Sequence, residues 1–397
     1  MKIKIHKVSR ESCLNCFFII LLIHPLQTCM NSILEYFGIP FRYLMDLLYL
    51  ATFIYGFFIV LKLGIKQKDF LAIICFSIFY GICYLYAGEN ARQYFWNPEM
   101  IVLYFFYMPL SFLVVSKISD WSQLFKENKY IYISDIIIVL SFVSQLLNPR
   151  GMDYMSYSYN LLPFWCVILI SILLNRKKIQ MFFLTLGVLE GIFFGSRGAV
   201  AWLVVCGILI IAIQIFNKNG VKSLIKYSMA FVGVLILFKI IYPMIMESSF
   251  VEGSYILRRI KDGSLLISDG RSELATSCLN VIDNMGFSVY GLFYDRTVLP
   301  NGWYSHNIIY EVLISFGWII GGVCLVFFFF KLIVVFFLQN HINKIAFVFL
   351  LSSLFFRYFL SGSIFDEGNF WVFVGGVTSF SRISMNSHFK YKIKFRN

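Results

Sequence analysis

The chain has 397 residues, 59% of them hydrophobic and only 14% charged, with a mean hydropathy of +0.76 and a net charge of +13. That balance excludes a soluble globular domain. The cations are spread over many segments instead of gathering in one patch, which argues against nucleic acid as a partner.

Apolar runs of roughly twenty residues recur from end to end, the length that carries a helix across about 30 Å of hydrocarbon. Lipid offers the backbone no hydrogen bonds, so spans of this kind are helices. The expected fold is an all-α polytopic membrane protein, a single integral domain over 1–397. Twelve spans are read at 12–32, 42–62, 70–87, 100–116, 132–147, 160–175, 180–195, 199–216, 228–247, 308–330, 345–361 and 368–380. The first follows a basic N-terminus without a small-residue cleavage site and is read as retained. Cys13 and Cys16 form a CxxC with no second pair, and Cys75, Cys83, Cys166, Cys206 and Cys324 read as small buried apolar residues.

Cation placement orients the bundle. With the N-terminus in the cytoplasm, the inner segments carry 22 lysines and arginines, from Lys2 through Lys62, Lys117, Arg176, Lys218 and Lys344 to Arg396. The short outer loops carry only Arg42, Arg92, Arg150 and Arg197. Both termini are therefore expected in the cytoplasm, and the long polar segment 248–305, between the ninth and tenth spans, outside.

The few cations that oppose this bias have glycine neighbours: Pro149-Arg150-Gly151, Gly195-Ser196-Arg197-Gly198 and Gly270-Arg271. Arg258, Arg259, Lys261 and Arg296 join them in the long segment. Arginine forks match phosphate oxygens, glycine lets backbone approach a ligand, and a helix start at Ala199 adds positive dipole. A diphosphate fits such a cluster; snorkelling to ordinary phospholipid is the plainer reading. Lys239 stands in a span with no acid nearby. Arg357, Asp366 and Glu367 gather at the outer end of the eleventh span, where ionisable groups usually face a cavity and a partner.

His306 stands where the long segment re-enters the membrane. A neutral imidazole there can take a proton from a sugar hydroxyl, although a lone boundary histidine is more often structural. Asn307 is placed to orient a substrate, and Glu311, about one turn on, to set the tautomer of His306. Ser272 to Met285 reads as a helix burying Leu274, Cys278, Leu279 and Ile282, with Asp269 as its cap. Tyrosines and tryptophans crowd the outer side at Tyr94 to Trp96, Tyr154 to Tyr159 and Trp303-Tyr304, where rings stack on sugars but also simply favour the interface.

In this order, Gly195-Ser196-Arg197-Gly198-Ala199, Gly270-Arg271, Gly291 and His306-Asn307-Ile308-Ile309-Tyr310-Glu311, followed by Gly317 and Gly321, resemble the bacterial O-antigen polymerase and O-antigen ligase superfamily. Arg150-Gly151 with Asn160 is similar to that family's earlier outer-loop arginine motif. Two positions depart from the pattern: no tryptophan-bearing helix follows Arg271, and Phe293 stands where a second glycine is expected. The resemblance implies a GT-C-like glycosyltransferase of the bacterial inner membrane, metal-independent and without a cofactor. Its donor would be an undecaprenyl-diphosphate-linked oligosaccharide in the lipid bilayer, with a chain-length regulator as a further partner. His306, Arg197 and Arg271 would be catalytic. Arg150, Ser196, Gly198, Asn307, Glu311, Arg258 and Arg357 would bind substrate. A polymerase, a ligase acting on lipid A core and a lipid-linked oligosaccharide flippase are the three activities such a chain could carry. Abundant Phe and Ile with scarce Ala suggest an AT-rich gene of the kind found in repeat-unit loci, which leans toward the polymerase.

Overall fold

The structure is a computed structural model that describes residues 2–39, 42–148, 154–175, 178–216, 243, 258, 259, 261–263 and 271–394. These residues are helices joined by short turns, with no strand among them. Eight of the helices are long and apolar enough to cross a membrane, and two shorter apolar ones, Leu50–Leu63 and Ile179–Phe193, accompany them. Each span read from the sequence falls on a helix except 228–247, which apart from 243 lies outside the described residues, as do Lys239 and Asp269.

The Tyr154–Asn175 and His341–Leu350 helices form the centre, with Phe164, Trp165, Phe347 and Phe349 fully buried. Around them the outward faces keep residues such as Leu85, Ile208, Val326 and Phe327 exposed. Lipid tails are as apolar as leucine, so such faces carry no penalty in a bilayer. Cys75 and Cys324 lie on exposed surfaces for the same reason, a correction to their reading as buried residues. Close packing comes from small residues. A Cβ at Gly187 would come within 2.6 Å of the Trp165 ring and one at Gly191 within 3.1 Å, so the 179–193 helix lies tightly on the central one.

Three spans are interrupted by π-helical turns, at Leu103–Tyr107, Gly317–Gly321 and Leu351–Phe355. Such turns leave carbonyls unpaired and often mark functional places. At Gly317 the backbone turns at φ +71, and a Cβ would sit 2.6 Å from the Ser288 carbonyl oxygen. The 286–291 turn is pinned there, since the amides of Tyr290 and Gly291 both donate to the Ser315 carbonyl at 3.0 and 2.8 Å. Glycine at 317 therefore serves a close backbone approach.

Polar contacts collect at two ends. At one, Lys129 pairs with Glu11 and Glu127 at 2.9 Å each, while Arg382 pairs with Asp69 and donates to the Ser116 carbonyl. The other end holds the candidate site. From the long segment, Arg271–Met285 forms a helix that buries Leu274, Cys278 and Ile282 against Leu299, Leu313 and Ile314. Leu279, expected on that face, is 46% exposed, because the buried stripe follows 274, 278, 282 and 285.

Candidate functional site

Arg296 is the hub of the site end. The short Asp295–Val298 helix places its guanidinium, 4% exposed, 2.8 Å from Asp295, 2.9 Å from the Ser363 hydroxyl and 3.9 Å from Glu311, with Asp366 as a further partner. The rings of Phe293, Tyr304 and Tyr94 lie 5.0, 5.7 and 5.9 Å from it. Asp295 also accepts from the Ser305 amide at 3.1 Å. Burial pushes its carboxyl up, and Arg296 opposes that push. Buried ion pairs persist only when the remaining lone pairs find donors, which this cluster supplies.

Glu311 belongs to the same network. It is fully buried, accepts from the Ile364 amide at 3.0 Å and takes the Ser363 hydroxyl on its other oxygen. The sequence expectation that it sets the tautomer of His306 is corrected by this: its oxygens are committed to the 363–364 turn. The Ile308–Phe316 helix begins after His306, so helical spacing does not bring the two side chains together.

Asn307 caps that helix. Its Oδ1 accepts from the Ile309 amide at 2.9 Å and its Nδ2 donates to the Phe359 carbonyl at 3.1 Å. Both ends of the amide thus hold backbone, a positioning task in place of the expected contact with substrate. His306 itself sits at φ +53, a left-handed conformation uncommon for a non-glycine residue. Its ring centroid lies 3.9 Å from that of Tyr304, the two rings tilted by 43°. Burial, reinforced by Arg271 and Arg296, pushes the imidazole down to about 4, so it is neutral near pH 7. Burial also pushes the Tyr304 phenol up to about 12.

The Gly195-Ser196-Arg197-Gly198 motif packs on Ser158 and Tyr159. Ser196 is the N-cap of Arg197–Ile215, accepting from Ala199, and its own amide donates to the Ser158 hydroxyl at 2.6 Å. A Cβ on Gly198 would overlap the Tyr159 hydroxyl. Glycine here is thus explained by a neighbouring side chain. Tyr159 in turn lies 4.9 Å under the guanidinium of Arg357. Arg357 pairs with Glu367 at 2.9 Å, and Gly362, at φ +94, leaves room for that carboxylate. Burial pushes Glu367 up, against the pull of Arg357.

The structure therefore brings together Ser196, Gly198, Arg271, His306, Asn307, Glu311 and Arg357 at one end of the bundle. Arg197 is the first residue of its helix and half-buried. Arg271 starts its own helix, exposed, and makes no ion pair among the described residues. Arg258 is exposed and has no contact with this cluster among the described residues, while Arg150 lies outside the described residues.

Sequence reasoning missed the role of Arg296 and missed His24 altogether. His24, from the first helix, lines a cavity of about 320 Å³ with Tyr159, Asn160, Arg357, Asp366, Glu367 and Asn369. Its only local signal is a histidine inside an apolar run. Compared with known proteins, the chain matches no family model, no curated protein and no solved structure.

Proposed function

We propose that the protein is a membrane-embedded, metal-independent glycosyltransferase of the O-antigen polymerase kind. It would join oligosaccharide repeat units carried on a polyprenyl diphosphate at the periplasmic face of the bacterial inner membrane. The observation that carries this reading is the neutral imidazole of His306 beside Arg271, which is exposed and makes no ion pair among the described residues, next to the arginine-bearing motif at Ser196 to Gly198. A neutral base and cations beside an anionic leaving group are what glycosyl transfer from a diphosphate requires.

In this reading an acceptor hydroxyl attacks the anomeric carbon of the donor and gives its proton to His306. The new C–O bond forms as the bond to the diphosphate oxygen breaks, with inversion. The diphosphate leaves with the electron pair, and Arg271 and Arg197 stabilise its charge. Twelve spans, cytoplasmic termini and an outer 248–305 segment complete the topology. This is supported by the way residues assigned to one side pair with one another: Glu11 with Lys129 and Asp69 with Arg382 at one end, Arg296 with Asp366 and Arg357 with Glu367 at the other.

The test is the surface polysaccharide profile of a deletion strain on a gel. Single repeat units on lipid A core, without the long ladder, are expected. Bare core with long chains kept on the polyprenyl carrier would make the protein a ligase. An unchanged profile would overturn the transferase reading and leave transport of the lipid-linked glycan.

A further inference from the structure

The cavity beneath Arg357 is separate from the His306 face, since neither His306 nor Tyr304 lines it. The Tyr304 ring lies against that of His306, its oxygen takes a hydrogen bond from the Gly362 backbone, and it stands within electrostatic reach of Glu367 and Arg357. At about 320 Å³ the cavity falls in the ~300–1,000 Å³ range of small-molecule sites. It is continuous with a wider space of about 720 Å³ that shares His24, Leu103, Tyr107 and Asp366, so it opens to one side.

Its walls offer donors and acceptors in alternation. Arg357, with a side chain only 10% exposed, has an Nε with no hydrogen-bond partner among the described residues. A buried, unsatisfied guanidinium nitrogen is costly unless a ligand meets it. Asn160 and Asn369 can each donate and accept, and Asp366, a third exposed, lines both spaces. His24 supplies an acceptor. The Thr28 hydroxyl donates its one hydrogen to the His24 carbonyl at 2.8 Å, so its 3.3 Å contact with Nδ1 takes the hydrogen from the ring. In the neutral imidazole the proton then sits on Nδ1 and leaves Nε2 to accept.

The charge balance decides the ligand. Arg357 is neutralised by Glu367, and Arg296 by Asp295 and Asp366 with Glu311 behind them. Two guanidiniums thus face four carboxylates, and neither is left over for a phosphate. An anionic ligand would give up its hydration to lie beside Asp366 and Glu367, whereas hydroxyl groups satisfy carboxylate, amide and imidazole alike. The rings of Tyr107 and Tyr159 add faces on which a sugar packs.

We infer that this cavity is a binding site for one uncharged, hydroxyl-rich sugar ring and that it discriminates against acidic sugars. The site deepens the transferase reading, on which its role as an acceptor pocket rests; the sugar selectivity stands apart from it. Full-length protein in lipid nanodiscs is titrated with the methyl glycosides of glucose, galactose, mannose and N-acetylglucosamine, and with methyl glucuronide as the acidic probe, by saturation-transfer NMR. At least one neutral glycoside binds saturably, and the glucuronide binds about tenfold or more weakly than the glucoside, the effect of one added charge beside screened carboxylates. His24→Ala weakens the neutral ligand about tenfold, the loss of one hydrogen bond, and His24→Gln, which keeps an acceptor, restores part of it. Asn160→Ala gives a second loss that does not depend on His24. The inference is overturned if no neutral glycoside binds, if the glucuronide binds as tightly as the glucoside, or if folded His24→Ala and Asn160→Ala both bind normally. An unchanged surface polysaccharide in the deletion strain, with glycoside selectivity intact, would sink the polymerase reading alone. A lost ladder without glycoside binding would sink the pocket alone.

Discussion

Replacing Arg296 with Met keeps most of the side-chain volume and removes the only cation within salt-bridge distance of Asp295, Glu311 and Asp366 among the described residues. Asp295 and Glu311 are 0% and 1% exposed, so water cannot take over from the guanidinium. Breaking a buried pair by removing one partner costs about 3–5 kcal/mol, because it leaves an uncompensated charge. Arg296→Met should lose that much in reversible SDS-induced unfolding in mixed micelles at pH 7. The loss should shrink on acidification. The folded-state carboxyl of Asp295 already titrates above its unfolded value of 3.8, so its contribution is fully present below that pH and is lost as pH rises. Without Arg296 the folded value climbs further, and the variant recovers toward wild type as pH approaches 4. Asp295→Asn in the Arg296→Met background should recover part of the loss at pH 7. A loss under about 1 kcal/mol, or one that does not change with pH, would refute a structural role for the network.

Two further outcomes test the site. His306→Gln should abolish chain formation while expression and insertion persist. Because the imidazole titrates near 4, activity should stay level as pH falls from 7 to 5, and an acid limb near 6.5 would refute the depression of the His306 imidazole. The sign for stability is fixed by the same depression: His306 contributes stability above its unfolded value of 6.5, lost as pH falls toward 4, and His306→Gln removes that dependence. Gly198→Ala should displace Tyr159 from under Arg357 and cost about 1–3 kcal/mol by overpacking, read as a lower unfolding midpoint; an unchanged midpoint would mean that the contact relaxes freely.

The spans were legible because lipid enforces a simple pattern, and the 271–285 helix because Leu274, Cys278 and Ile282 repeat every four residues. Arg296 was visible only as one of several loop cations. Its partners Ser363 and Asp366 lie 67 and 70 residues away, beyond any local pattern. Glu311 was placed by spacing on His306, which fails because the helix starts two residues after the histidine and its cap turns the chain. His24 carried no pattern at all: one polar residue in an apolar run becomes significant only when Arg357, from the other end of the chain, is packed near it.

Strain marks the same segment. Among the described residues the non-glycine positions with left-handed backbone are Phe293, Asn301 and His306, all within the stretch that carries Asp295 and Arg296. Each such residue costs of order 1–3 kcal/mol and persists only where its surroundings over-determine it. At Phe293, where the resembling family has glycine, the ring is fully buried, 4.9 Å from Phe95 and 5.0 Å from the Arg296 guanidinium. Ring burial of this kind offsets the backbone cost. At His306 nothing comparable is buried, so the conformation is held from outside, by Asp295 on the Ser305 amide and by Asn307 on the Phe359 carbonyl. The Arg296 network therefore does more than neutralise charge: through Asp295 it fixes Ser305, and with Asn307 held on the Phe359 carbonyl and the Ile309 amide it sets where the imidazole points.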